Sequence, residues 1–213
     1  NDKYPIIYRF TARKFLDQAL TTSIDSLSNF NRKIVSKYKA GLGFRYLKGF
    51  VGDSILNESI KDFYQNNQLK IITSHKFNEI ISSKTPKDLD WFFSDFINSN
   101  KKIDYTIDDI VSLNDSLEVT IKNKRNITTP VALYALKDKE IKLKKWVVNV
   151  DTTKTIKIKK GDFDKLVLNY ENLYPEYNTL DNSKSLQKKI FNKPVKFTFF
   201  KDVAEPTYNQ LFY

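Results

Sequence analysis

Apolar positions recur at helical spacing through the first hundred residues, then switch to strict alternation near Ile103. The helical spacing predicts a helix from Phe10 to Leu20, carried by Phe10, Phe15, Leu16, Ala19 and Leu20. A longer one follows from about Asn31 to Val51, with Ile34, Tyr38, Leu42, Tyr46, Leu47, Phe50 and Val51 close to a 3.6-residue period. That segment also holds Gly41, Gly43 and Gly49. Each glycine costs roughly 1 kcal/mol against alanine in a helix interior. They are therefore expected to permit close packing or to mark a local break. Gly52-Asp53 ends this helix and caps a third, which runs through Leu56, Ile60, Phe63 and Tyr64. A fourth spans about Ser74 to Ser83.

The last helix of this half, Thr85 to Asn98, is apolar on nearly every side. Leu89, Phe92, Phe93, Phe96 and Ile97 fill one face and Trp91 points the other way, the pattern of a helix held between two layers. Thr85 as N-cap, Pro86 at the first helical position and Asp88 in the first turn are its start signals.

Beyond it, residues 115–123, 130–137, 140–150, 153–160 and 164–170 read as short strands. Asn126, Asp138, Asp151 and Gly161-Asp162 supply the turns between them, and Asp108-Asp109 reads as another turn. A last strand is expected at residues 193–200. The fold class is α+β, an N-terminal α-helical subdomain (1–100) followed by a small antiparallel β-sandwich with a C-terminal extension (101–213).

Composition narrows the chemistry. With 213 residues, 40% of them apolar, the chain can build a substantial core. It has no cysteine, which rules out disulfides and thiolate metal sites. Its one histidine, His75, lies at a helix start and reads as a surface residue. The net charge is +11, and in Glu140 to Lys145 and Lys154 to Lys160 lysines alternate with Ile141, Leu143, Ile156 and Ile158. That is the solvent face of half-buried strands, where lysine also discourages edge pairing, so no nucleic-acid partner is expected. The chain opens on Asn1 with no initiator methionine and no signal-like stretch, and we expect it to be a piece or processed product of a longer protein.

No autonomous active site emerges. One histidine offers no nucleophile–base–acid set. The glycines of residues 41–49 do not follow a strand and cradle no phosphate. Asp88, Asp90 and Asp95 share one predicted helix, where a helix-start charge explains Asp88. No metal or cofactor site is expected within the chain.

Several segments in order resemble the C-terminal part of gluzincin zinc aminopeptidases, the family of the membrane alanyl aminopeptidases. FLDQALTTSIDSLSNFN (15–31) is similar to the stretch after that family's last zinc ligand. KYKAGLGFRYLKGFVGD (37–53) resembles its Tyr-Glu-Lys-Gly helix, and residues 54–97 its helices closing on a Trp-Phe-Phe motif. PVALYAL (130–136) and residues 165–184 look like the small sandwich that follows, and residues 196–213 look most like large membrane-associated members from Bacteroidetes-type bacteria.

The resemblance implies that the His-Glu-x-x-His helix, its downstream Glu and the zinc they hold lie upstream of Asn1. There the metal would activate a water toward an N-terminal peptide bond. It also implies that Tyr38 matches the tyrosine that stabilises the oxyanion. Lys39 and Ala40 depart from the pattern, standing where Glu and Lys are usual. Read this way, the chain walls the active-site cleft of its parent and docks neighbouring domains through surfaces such as Trp91. Its partners are the rest of that chain and a peptide substrate, in the periplasm or at the outer membrane, with any membrane contact made through the parent. The alternative is a sandwich-bearing binding or scaffold module at the cell envelope, which would expose aromatics such as Tyr134, Trp146 and the Tyr170–Tyr177 cluster.

Overall fold

The computed structural model describes residues 3–70 and 73–186. Helix α1 (Lys3–Arg13) opens the chain. A π-wound turn (Asn31–Val35) leads into α2 (Ser36–Val51). α3 (Asp53–Asn66) and α4 (Ser74–Ser82) follow. Gly52 sits at φ 103° between α2 and α3, a backbone that favours glycine, and so lets the chain reverse there.

Two elements depart from expectation. The first helix ends at Arg13 rather than running to Leu20. Phe15 enters the left-handed region at φ 56°, and polar side chains then organise the loop. Gln18 N–H donates to Asn31 Oδ1 at 3.1 Å, Asn31 Nδ2 donates to Leu16 O at 2.9 Å, and Ser28 N–H donates to Gln18 Oε1 at 2.9 Å. Side chains that bond nearby backbone compete with helix in this way.

The second departure is the apolar element before the sheets. Its helical winding starts only at Asp90, and Trp91–Phe96 is π-helical. Thr85 Oγ1 accepts the Lys87 N–H and Asp88 Oδ1 accepts the Asp90 N–H, so the apparent start signals build a turn instead. The two-layer placement holds. Trp91 lies 4.4 Å from Tyr46, while Phe92 and Phe93 pack toward the Phe44 and Phe77 side. Trp91 is thus core rather than a docking surface.

The β half forms two antiparallel sheets. β1 (Tyr105–Ser112), β2 (Ser116–Asn123) and β5 (Thr153–Lys159) make one, in the order β1-β2-β5. β3 (Val131–Lys137), β4 (Glu140–Val147), β6 (Lys165–Leu168) and β7 (Ser183–Ser185) make the other, in the order β4-β3-β6-β7. Asp138 and Lys139 both take positive φ between β3 and β4, which suits the twist of a tight hairpin. Asp108-Asp109 is no turn. It lies inside β1, where the register shifts between Ile107 and Asp109 and leaves Asp108 as a bulge. The strand expected at 193–200 lies outside the described residues.

β3 is buried from Val131 to Leu136, as befits a strand covered on both faces. The edge strands β4 and β5 alternate lysines with Leu143, Ile156 and Ile158. Lys145 Nζ reaches Lys157 O at 3.3 Å and Lys154 Nζ reaches Val148 O at 2.7 Å, so each edge lays an ammonium on the backbone of the other side.

One apolar core runs from Leu47, Phe50 and Val51 of α2 through Trp91, Phe92 and Phe96 into the sandwich. Close approach requires two of the glycines. A Cβ at Gly43 would sit 2.6 Å from Phe96 Cε1, and one at Gly49 would sit 3.0 Å from Leu173 Cδ1. Gly41 faces open space. Gly43→Ala is therefore expected to destabilise the protein by about 1–3 kcal/mol in urea unfolding, because Phe96 is wedged against Phe92 and Tyr46. Gly41→Ala in the same helix is expected to stabilise by about 0.5–1 kcal/mol. Equal effects at the two positions would contradict this packing.

Candidate functional site

Where the loop after α1, helix α2 and the start of the sandwich meet, three charged side chains are buried together. They are Asp17, Lys39 and Lys102, each less than a tenth exposed. Lys39 projects from the same side of α2 as Leu42, Gly43 and Tyr46, all buried. Lys102 precedes Ile103, whose carbonyl accepts the Tyr177 N–H and fixes the entry to the sandwich. Asp17 is brought in by the loop that follows Phe15, itself tied down by Leu20 N–H donating to Ile97 O at 2.9 Å.

Lys102 Nζ donates to Asp17 Oδ1 at 2.6 Å and to Asn100 O. Lys39 Nζ donates to Ser99 O at 2.7 Å and Gln18 O at 3.2 Å, and lies 3.6 Å from Asp17 Oδ2. The Tyr8 hydroxyl donates to the same carboxylate at 3.4 Å. Phe15 covers the outer side, its ring 5.4 Å from Lys102 Nζ and 5.8 Å from the Arg125 guanidinium, which also stacks 4.0 Å over Tyr177.

Burial pulls the Lys39 ammonium down to about 8; Asp17 opposes that fall and Lys102 adds to it. A small cavity of about 20 Å3 opens beside the cluster, lined among others by Tyr8, Arg13, Lys39, Lys102, Glu176 and Tyr177. Glu176 is buried too and accepts the Tyr105 N–H at 2.9 Å and Asn182 Nδ2 at 2.7 Å. Burial pushes its carboxyl up to about 8 against the pull of those donors.

The residues singled out from sequence fall elsewhere or nearby. Tyr38 is half-buried on α2 and packs against Tyr8, Ala12 and Leu42, one residue from Lys39. His75 is exposed and lies 3.4 Å from Glu79, as its place at a helix start suggests. Asp95 pairs with Lys101 at 2.8 Å, while Asp88 lies outside the helix and so shares no face with it. Among the described residues no three His, Asp or Glu side chains are gathered to hold a metal ion. The sequence reading missed the charged cluster. Its one signal was Lys39, a lysine standing in an otherwise apolar stripe with Leu42, Tyr46 and Phe50.

The fold is shared with part of a larger protein. A crystal structure of Legionella pneumophila aminopeptidase A in complex with aspartic acid matches with a TM-score of 0.56 at 21% sequence identity. The match covers 73% of this chain and 18% of that one. No family model and no curated protein matches the chain.

Three outcomes follow from these buried charges. Asp17→Asn leaves two buried ammonium groups without a carboxylate and is expected to cost about 3–5 kcal/mol in denaturant unfolding. Glu176 binds its proton more tightly folded than unfolded, so its contribution to stability is complete below about pH 4.5 and is lost as pH rises through about 8. Lys39 works the other way, releasing its proton more readily when folded, so its contribution improves from about pH 8 to 10.5. Melting curves of Glu176→Gln should lose the first slope and those of Lys39→Met the second. Unaltered pH profiles in both would refute these assignments.

Proposed function

We propose that this chain is the C-terminal portion of a zinc aminopeptidase-like protein. It would supply the helical back half of a catalytic domain (1–100) and the sandwich behind it (101–213). Its job is to wall the active-site cleft and to hold neighbouring parts of the parent chain. The observation that carries this reading is the fold likeness to aminopeptidase A: at 73% of 213 residues it is longer than either half of this chain, so it takes in parts of both.

Uneven surface exposure supports the dependence on further chain. Among the described residues, ten large apolar side chains are exposed on the helical half against four on the sandwich. Ile6 and Phe10 lie one turn apart on α1, each more than 60% exposed, and Leu16, Ile24 and Tyr64 are similarly bare. Apolar groups left open on one side of a domain suit burial by a partner. The sandwich aromatics that would serve a separate binding module are mostly absorbed. Tyr134 and Tyr174 are fully buried, and Trp146 stacks on Tyr46.

In this reading the zinc ligands and the general base come from residues upstream, and the substrate is the N-terminal end of a peptide. The site of action is the periplasm or the outer membrane. The Tyr38 hydroxyl donates to the oxyanion formed at the scissile carbonyl.

Three measurements test the reading. The parent reading frame should encode His-Glu-x-x-His with a further Glu about 20 residues on. The whole protein should then hydrolyse aminoacyl p-nitroanilides, with activity removed by a chelator and restored by zinc. An unrelated upstream region would overturn the assignment. In that protein, Tyr38→Phe should lower kcat by about 100- to 1000-fold with little change in KM. Undiminished turnover would remove Tyr38 from the mechanism.

A further inference from the structure

We propose that the cavity at the junction of α1, α2 and the sandwich binds one monovalent anion of chloride size between Lys39, Lys102 and Arg13. Charge balance is the first argument. Lys39 and Lys102 are buried with a single carboxylate, Asp17, in contact. Glu176 also lines the cavity, but burial keeps its carboxyl protonated at neutral pH, so it adds no negative charge. Lys101 lines the rim and is already paired with Asp95. Arg13 lines the cavity with an exposed guanidinium and has no ion-pair or hydrogen-bond partner among the described residues. An uncompensated buried cation is costly, and a mobile anion can neutralise it directly.

Donor count is the second argument. An ammonium carries three N–H donors. Lys39 uses two on Ser99 O and Gln18 O and faces Asp17 Oδ2 at 3.6 Å with the third. Lys102 uses two on Asp17 and Asn100. Lys102 thus keeps one donor without a hydrogen-bond acceptor, and both side chains line the same cavity.

Size is the third. A volume of about 20 Å3 has room for one small occupant of about the size of a water. Water would fit, but it would leave the surplus charge uncancelled. The walls contributed by Ala12, Phe96, Ile103 and Pro175 are apolar and strengthen the attraction for an ion.

The test compares halides with an anion too large to enter. Thermal unfolding of the full-length protein is followed at constant ionic strength while sodium gluconate is replaced by sodium chloride. Tm is expected to rise by about 3–6 °C for each tenfold increase in chloride above its dissociation constant. Bromide should act likewise, and crystals soaked in bromide should show an anomalous peak beside Lys39 and Lys102. Lys39→Met should abolish the halide dependence. Should that variant fail to fold, the surface change Arg13→Gln should shift the dependence to higher chloride. Equal Tm in chloride and gluconate, a halide response that survives both substitutions, or a bromide peak elsewhere would overturn the proposal. None of these readouts needs catalytic turnover, so the result stands apart from the peptidase reading.

Discussion

Tyr46 is fully buried where helix and sandwich meet, with its ring 4.4 Å from Trp91 and 4.5 Å from Tyr174 and its hydroxyl donating to Pro130 O. An aromatic side chain with one polar tip suits such a seam. The ring supplies apolar area on all sides, while the hydroxyl must find one fixed acceptor once it leaves water. Burial pushes the phenol well above its ordinary range, so the hydroxyl stays a donor at any working pH. The acceptor immediately precedes β3, the strand buried on both faces. Tyr46 therefore sets where α2 lies over the sheet, and Gly43 and Gly49 let the helix come close enough for the bond to form. Sliding one layer past the other would break the ring contacts and the hydrogen bond together.

Much of this was legible in the chain. Period alone separated α2, α3 and α4 from the strands, and alternation placed β2, β3, β4, β5 and β6 to within a few residues. Gly41, Gly43 and Gly49 are expected from sequence to permit close packing or to mark a break; Gly43 and Gly49 are close-packing positions, whereas Gly41 faces open space. The failures share a cause. Thr85, Pro86 and Asp88 form a helix-start pattern, yet the same side chains also make a tight turn, and local sequence does not decide between the two. The residues after Arg13 keep helical spacing, but Gln18 and Asn31 bond the backbone across the loop. Asp108 looked like a turn because a bulge in an edge strand tolerates the same residue types. For the site, the peptidase resemblance brought out Tyr38, whereas the charged cluster went unseen. Asp17 and Lys102 lie 85 positions apart and come together only through the fold.

The junction combines two kinds of adhesion. The aromatic seam around Tyr46 draws its strength from area removed from water and tolerates changes of pH and salt. The cluster of Asp17, Lys39 and Lys102 gives little net stability beyond what apolar residues would give, because desolvation opposes attraction. Its value is geometric. Each ammonium is directed onto particular carbonyls, Ser99 and Gln18 for one and Asn100 for the other. The irregular loop after α1, which has no ladder of its own, is thereby pinned to the end of the Trp91–Phe96 turn and to the first strand. Hydrophobic contact fixes the distance between the halves, and the buried charges fix the path of the chain that joins them.

Lys145 of β4 and Lys154 of β5 lie on backbone carbonyls of the facing side rather than reaching freely into solvent. An incoming strand from another molecule would have to dislodge ammonium groups from carbonyls it needs for its own pairing, and then tolerate their charge beside it. The open side of the sandwich is thus guarded against templated fibril growth. The guarding groups are also long and exposed, so their positions along each edge can change over evolutionary time without touching the core. A sheet protected by replaceable side chains can keep its shape while its outer surface is adapted to new surroundings.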